Sequence, residues 1–150
     1  MHWSKRIGYN NEIYLMPKFR TMKIDTPQVA THQLEKADSY LTPIGGFLRK
    51  TSIDELPQLW SVIIGTMSLV GPRPALFNQD DLVKLRTENN VHLLKPGITG
   101  WAQVNGRDEL PILTKVELDT YYLNNRSMFF DLRIIFLTVY KVFKSEGVAH

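Results

Sequence analysis

Cysteine is absent from this chain of 150 residues. Without thiols the chain has no disulfide, no thiolate zinc site and no cysteine nucleophile. Its histidines are scattered without the ligand spacing of a zinc site: His2, His32, His92 and His150. P-loop, dinucleotide-binding and serine-hydrolase glycine patterns are also missing from the sequence. Candidate chemistry therefore rests on carboxylates and cationic side chains.

A long apolar run is missing as well. The two richest apolar segments are 59–70 and 129–143, but Gly65 interrupts the first and charged residues interrupt the second. A membrane span needs roughly 18 to 20 uninterrupted apolar residues. Polar and basic residues follow Met1, so no secretory signal is indicated. We predict no transmembrane helix in this sequence.

The composition is that of a globular protein, with 43% hydrophobic and 22% charged residues. We expect residues 1–150 to form a single domain with its own core. The net charge of +3 suits phosphate-bearing substrates, anionic lipid or nucleic acid. The basic residues lie beside Pro and Gly, not along a recognition helix or among stacking aromatics, so we predict no nucleic acid partner.

Periodicity and turn residues predict an α+β fold, a mostly helical domain with a few short strands and Pro/Gly-rich active-site loops. The predicted elements are an extended segment over 12–19, a loop or short surface helix over 24–40, a turn over 42–46, a helix over 52–64, an extended loop over 68–74, a helix over 80–90, a turn-rich loop over 95–101, a strand end over 104–107, and helices over 113–124 and 131–145. The last helix is typical of a core helix; attachment to a membrane surface is the alternative.

Asp54 and Glu55 are the strongest candidates for chemistry. A structural explanation exists, because Ser52 and Glu55 have the spacing of a helix capping box. The neighbouring Arg49 and Arg73 favour a catalytic explanation, since phosphoryl transfer needs a carboxylate to attack or hold metal and cations to offset charge. The residues by themselves leave both explanations open.

A metal ion belongs to the catalytic explanation. Each carboxylate–phosphate pair at about 4 Å opposes approach by roughly 4 kcal/mol at an effective dielectric near 20. Hard oxygen ligands and phosphate make Mg²⁺ the expected ion. Successive helical residues point about 100° apart, so Asp54 and Glu55 can divide attack and metal binding between them.

Further candidates for phosphate or sugar binding lie in three loops or strands. The prolines on either side of Arg73 fix its backbone and lower the entropy lost when its guanidinium grips a phosphate. Gln103, Asn105 and Arg107 alternate with apolar residues and would share one face of an extended segment. Lys18 and Arg20 belong to a basic segment that is otherwise an ordinary surface strand. All six are predicted substrate contacts.

Six motifs in order resemble the bacterial sugar transferases of the monotopic phosphoglycosyl transferase superfamily, and they cover nearly the whole chain. They are Trp3-Ser4-Lys5-Arg6-Ile7-Gly8, Lys18-Phe19-Arg20-Thr21-Met22, Thr42-Pro43-Ile44-Gly45, Leu48-Arg49-Lys50-Thr51-Ser52-Ile53-Asp54-Glu55-Leu56-Pro57-Gln58-Leu59, Ser68-Leu69-Val70-Gly71-Pro72-Arg73-Pro74 and Pro96-Gly97-Ile98-Thr99-Gly100-Trp101-Ala102-Gln103-Val104-Asn105-Gly106-Arg107.

The resemblance implies a two-step reaction. Asp54 would attack the β-phosphate of a UDP-sugar, release UMP and carry the sugar-phosphate until a polyprenyl (undecaprenyl) phosphate takes it. Glu55 would help to hold Mg²⁺, Arg49 would steady the site or the phosphates, Arg73 would bind phosphate and Arg107 would contact substrate. The resemblance also implies work at the cytoplasmic face of the bacterial inner membrane, with a homo-oligomer as an option.

The chain departs from the family in two places. The apolar re-entrant helix of the family is missing ahead of Trp3, and Thr66 stands where an acidic residue is common. The first departure puts stable anchoring in question. The alternative to an enzyme is therefore a non-catalytic interaction or regulatory domain with the same fold.

Overall fold

The structure, a computed structural model, describes residues 1–27, 34–106 and 109–144. Its strands are β1 (His2–Ile7), β2 (Ile13–Lys18), β3 (Ser68–Val70) and β4 (Gly97–Thr99). Its helices are α1 (Gly45–Lys50), α2 (Gln58–Ile63), α3 (Asp80–Glu88), α4 (Trp101–Val104), α5 (Ile112–Asn125) and α6 (Met128–Lys144). The predicted α+β class, mostly helical with short strands, is confirmed. Arg107 and the predicted helix end at residue 145 lie outside the described residues.

The first sheet is an antiparallel hairpin of β1 and β2, with His2 opposite Lys18 and Ile7 opposite Ile13. Asn10 adopts φ 54° in the connecting turn, a left-handed conformation that asparagine tolerates. The extended segment predicted over 12–19 is thus a strand. β1 was not predicted, because its sequence reads only as basic.

The second sheet pairs β3 and β4 in parallel, with Val70 opposite Thr99. A Cβ atom on Gly97 would collide with the backbone nitrogen of Gly71, and one on Gly100 with the Gly71 carbonyl oxygen. The loop after β3 and the loop after β4 therefore lie backbone against backbone. The predicted extended loop over 68–74 needs one correction, since its first three residues form a strand.

The predicted helix over 52–64 is confirmed in its second half, which is α2, and is wrong in its first half. The chain instead forms α1, a 3-10 turn over Ile53–Glu55, and then α2. Ser52 adopts φ 57° and makes no side-chain capping bond, so the capping box is not formed. Pro57, which lacks an N–H donor, separates the turn from α2. The predicted turn at Gly45 is the start of α1, and a Cβ atom there would collide with the Thr21 carbonyl oxygen.

The last two helices carry the core. Val70, Val104, Tyr122 and the fully buried Ile134 form one cluster, against which Trp101 packs. The opposite side of α6 is exposed, and its largest apolar residues there are Met128, Phe129, Leu132, Phe136 and Phe143. The helix therefore has the predicted core face and also an apolar outer face. Within the described ranges, no helix is long and apolar enough to cross a membrane.

Candidate active site

Asp54 lies in the 3-10 turn between α1 and α2, and it is only 8% exposed. The Phe19 N–H, just after β2, donates a hydrogen bond to the Asp54 carbonyl at 3.0 Å. This bond ties the turn to the end of β2, which brings Lys18 to the same place. Two motifs that are far apart in sequence thus meet at one carboxylate.

Opposing effects act on the Asp54 carboxyl. Burial first, and the adjacent Glu55 carboxylate second, raise its pKa, while the cations Lys18, Arg49 and Arg73 act to lower it. The net result is a pKa above the ordinary value. Three of the predicted cationic residues therefore surround the predicted nucleophile.

Glu55 has a different environment from Asp54. The Arg73 Nη1 atom donates to Glu55 Oε1 at 3.1 Å, with the two side chains 35% and 18% exposed. Arg49 is oriented separately, because its Nε donates to Thr21 Oγ1 at 3.0 Å. Arg73 therefore holds Glu55, and Thr21 orients Arg49, beside Asp54.

Lys18 is a cation whose charge is easily lost. Burial, and then repulsion by Arg6, Arg49 and Arg73, lower its pKa to about 8, although Asp54 acts in the opposite direction. Near pH 8 its ammonium group therefore titrates beside the candidate nucleophile. A bound phosphate would favour the charged form.

The donor set at this turn suits a magnesium ion. The described residues contain no group of three or more metal-ligating side chains. Mg²⁺ commonly takes only one or two protein carboxylates and completes its shell with water and substrate phosphates. Asp54 and Glu55 supply that number of hard oxygen ligands, so these residues fit the ion.

The other predicted contacts among the described residues, Arg20, Gln103 and Asn105, interact with groups other than Asp54. Arg20 is exposed, and its charge acts on His2. The strand end predicted over 104–107 is wrong for its described residues, because α4 ends at Val104 and the next two residues form a turn. Gln103 is buried and donates to the Ile98 carbonyl at 3.2 Å, while Asn105 donates to the Trp101 carbonyl at 2.7 Å. These two residues do not share an extended face.

Two arginines beside the site were missed by sequence reasoning. Arg86 donates to the Arg73 carbonyl at 2.8 Å, and Arg6 donates to the Pro74 carbonyl at 3.1 Å. Arg86 lies inside an ordinary helical pattern and Arg6 in an unpredicted strand. The signal available in the sequence was the pair of prolines beside Arg73. Prolines have no N–H to donate, so the carbonyl groups of this loop need donors from other parts of the chain.

The comparisons with known proteins identify the family. The chain belongs to the bacterial sugar transferase family, whose model matches residues 1–145, and the resemblance carried by the six motifs is confirmed. It is 46% identical over 145 residues to an uncharacterized sugar transferase, EpsL, of Bacillus subtilis, covering 95% of this chain and 69% of that protein.

Relatives with named activities are matched over a smaller share of their length. The chain is 42% identical over 149 residues to the UDP-glucose:undecaprenyl-phosphate glucose-1-phosphate transferase of Escherichia coli, covering 95% of the chain and 32% of that protein. It is 35% identical over 159 residues to the undecaprenyl-phosphate galactose phosphotransferase of Salmonella typhimurium, covering 95% and 33%. The chain thus spans about a third of each of these two relatives.

Proposed function

We propose that this chain is the catalytic domain of a phosphoglycosyl transferase that moves a sugar-1-phosphate from a UDP-sugar to a polyprenyl phosphate such as undecaprenyl phosphate. The observation that carries the proposal is the buried Asp54 carboxylate, with Lys18, Arg49 and Arg73 close enough to act on its charge. The names of the Escherichia coli and Salmonella relatives support the reaction class.

In the first step, an Asp54 carboxylate oxygen attacks the β-phosphorus of the UDP-sugar. The bond from that phosphorus to the oxygen bridging the two phosphates breaks, and UMP leaves with the bonding electron pair. The nearby cations offset the charge on the phosphoryl oxygens, which is the main contribution a protein makes to phosphoryl transfer. The sugar-phosphate is then held as an acyl phosphate on Asp54.

In the second step, a phosphate oxygen of the polyprenyl phosphate attacks the phosphorus held on Asp54. The bond between that phosphorus and the aspartyl oxygen breaks, so the carboxylate is regenerated and a polyprenyl diphosphate sugar is formed. No net oxidation occurs and no proton needs to be transferred. This product would begin the assembly of a capsule, O-antigen, exopolysaccharide or glycoprotein glycan.

Glu55 and Asp54 would hold Mg²⁺ in this scheme. When bound, the ion neutralises part of the charge of the diphosphate. The ion pair of Glu55 with Arg73 links the metal-binding side of the turn to the phosphate-binding loop.

An exposed apolar surface beside the turn supports action at a lipid surface, which we place at the cytoplasmic leaflet of the bacterial inner membrane. We call it the apolar rim, and its members are Ile44, Phe47, Leu56, Leu59, Trp60, Ile63 and Ile64, which are 45% to 75% exposed. Apolar side chains that are exposed to water as a group are typical of an interaction surface. A polyprenyl phosphate presents its head group at the membrane interface, where such a rim would dock.

The test is mass spectrometry of the intact, membrane-associated protein after incubation with a panel of UDP-sugars and Mg²⁺. We expect a phosphosugar adduct on Asp54 and release of UMP, and neither in the Asp54→Asn variant. Asp80→Asn, an exposed first-turn residue of α3, serves as the control for the same chemical change. Turnover by the Asp54→Asn protein at the wild-type rate would refute the covalent mechanism, and absence of all turnover would favour the non-catalytic alternative.

A further inference from the structure

The loop Gly71–Pro74 cannot satisfy its own carbonyl groups. Two of its four residues are prolines, which have no N–H to donate. Buried carbonyls nonetheless need partners. In this structure the partners for two successive carbonyls are arginine side chains from distant elements, Arg86 of α3 at 2.8 Å from the Arg73 oxygen and Arg6 of β1 at 3.1 Å from the Pro74 oxygen.

Arg86 is itself held by a buried acid. Its Nε donates to Asp119 Oδ2 of α5 at 3.0 Å, and its Nη2 lies 2.9 Å from the same oxygen. The side chains of Arg86 and Asp119 are 11% and 2% exposed. Three nitrogens of one planar group thus serve one carboxylate and one carbonyl at the same time. A lysine, with a single ammonium, cannot reproduce that fork.

Arg6 of β1 is also held by neighbouring groups. Its Nε donates to Ser4 Oγ at 3.0 Å, and the following residue, Ile7, donates its N–H to the Ala75 carbonyl at 2.9 Å. The residues after Arg73 are therefore pinned to β1, while Arg73 itself is pinned to α3. Both ends of the short stretch that carries the Arg73 side chain have a defined position.

We propose that Arg6, Arg86 and Asp119 are positioning residues that aim the Arg73 guanidinium at the diphosphate of the nucleotide sugar. Arg6 and Arg86 touch the backbone of the loop, and Asp119 holds Arg86. The side chain of Arg73 reaches Glu55, which is 18 residues away in sequence, at 3.1 Å. The proposal deepens the function proposed above and rests on it. It assigns a role in substrate binding to residues that lie on β1, α3 and α5.

The decisive variant is Arg86→Lys in the intact protein. We expect the KM for the UDP-sugar to rise about tenfold while kcat changes less than about threefold, because a mispositioned Arg73 weakens substrate binding. A purely structural role would lower the amount of active enzyme, and hence the apparent kcat, without moving KM. In an Arg73→Ala background, Arg86→Lys should raise KM no further.

Arg6→Gln tests the same idea through a residue that is only partly buried, in case Arg86→Lys fails to fold. We expect a smaller rise in KM, about threefold, again absent in the Arg73→Ala background. Arg126→Gln, at an exposed position just after α5, is the matched control and should leave KM unchanged. Equal KM values for wild type, Arg86→Lys and Arg6→Gln would overturn the proposal.

An NMR readout separates this proposal from the enzymatic one. The Arg73 side-chain Nε–H signal, assigned by its loss in Arg73→Lys, should be distinct in the wild type and move towards the free-arginine position in Arg86→Lys. This shift is expected even if the protein releases no UMP. A wild type without turnover would contradict the proposed function alone, whereas an unmoved Arg73 signal in both positioning variants would contradict the positioning role alone.

Discussion

Two buried aspartates of this protein, Asp119 and Asp54, differ in how their negative charge is compensated. Asp119 is 2% exposed and receives two contacts from Arg86 at 2.9 to 3.0 Å. Asp54 is 8% exposed, has Glu55 beside it and is acted on by three cations. Burial is the largest cause that raises the pKa of each carboxyl. Asp119 is an acid bound directly by one arginine, and Asp54 is an acid beside a second carboxylate with three cations acting on its charge.

The comparison has a thermodynamic meaning. A buried charge with a close partner is costly to disturb, because removal of one partner leaves the other uncompensated. A buried carboxylate beside another carboxylate already destabilises the fold, so its neutralisation should be tolerated. Active sites commonly accept such a cost in return for chemistry. The same Asp→Asn change at the two positions should therefore have opposite consequences for activity and stability.

The largest expected effect is on the turnover of Asp54→Asn. An amide cannot form the acyl phosphate, so we expect UMP release to fall by about 10³-fold or more. The free energy of unfolding should stay the same or rise, because a buried charge next to Glu55 is removed. Initial rates and urea unfolding of the same preparation measure both, and a large loss of stability would contradict this assignment.

The matched variant Asp119→Asn should show the reverse pattern. It leaves the Arg86 guanidinium buried without its counter-ion, which we expect to lower the free energy of unfolding by about 3 kcal/mol. The covalent adduct on Asp54 should still form in the folded fraction. The midpoints of urea unfolding measure the difference, and equal midpoints for Asp54→Asn and Asp119→Asn would remove the distinction between the two aspartates.

A smaller effect is expected when residues of the apolar rim beside Asp54 are replaced. Replacing Trp60 and Ile63, 59% and 75% exposed, with serine should lower partitioning onto anionic lipid vesicles about tenfold. Leu113→Ser on α5 is the control, because Leu113 is similarly exposed, at 65%, but lies outside the rim. Sedimentation with vesicles measures the partitioning, and an unchanged value for the double variant would exclude the rim as a lipid contact.

The smallest expected effect concerns pH and Lys18. Because its pKa is lowered to about 8, Lys18 loses its charge above that pH, and kcat/KM for the UDP-sugar should fall a few-fold there. Between about 8 and the ordinary 10.5, the unfolded chain binds more protons at this group than the folded chain does. The free energy of unfolding should therefore rise with pH in that window.

Lys18→Arg provides the control for this pH dependence. Arginine stays charged throughout the window, so both the loss of kcat/KM above pH 8 and the rise in stability should disappear. A pH–rate profile of the two proteins between pH 7 and pH 10 decides the matter. Superimposable profiles would show that another group titrates.

Much of the helical content followed from the sequence. The periodic segments over 80–90, 113–124 and 131–145 correspond to α3, α5 and α6, because each has an apolar face and an undisturbed run of helix-forming residues. The first half of the helix predicted over 52–64 was wrong, because the left-handed Ser52 and the contacts of the turn with β2 outweigh a capping pattern. The spacing of residues within one segment cannot show that contacts with another element will override the local preference for a helix.

The prediction of a polar face over 103–107 failed for a related reason. Alternating polar and apolar residues fit a strand, but the tight approach of Gly100 to Gly71 starts a helical turn at Trp101 instead. Gln103 then turns inwards to the Ile98 carbonyl. The backbone contact that decides this joins Gly71 and Gly100, which are about 30 residues apart in sequence, so no local window contains both residues.

The sequence by itself determined the family, the Asp54-Glu55 pair and the arginine between two prolines, because these depend on residue type and order. Only the tertiary structure decided which cations meet Asp54, that Glu55 pairs with Arg73, and that Arg6, Arg86 and Asp119 hold the loop. The physical reason is distance. Charge and hydrogen bonding act over a few ångströms, and folding alone brings residues separated by dozens of positions within that range.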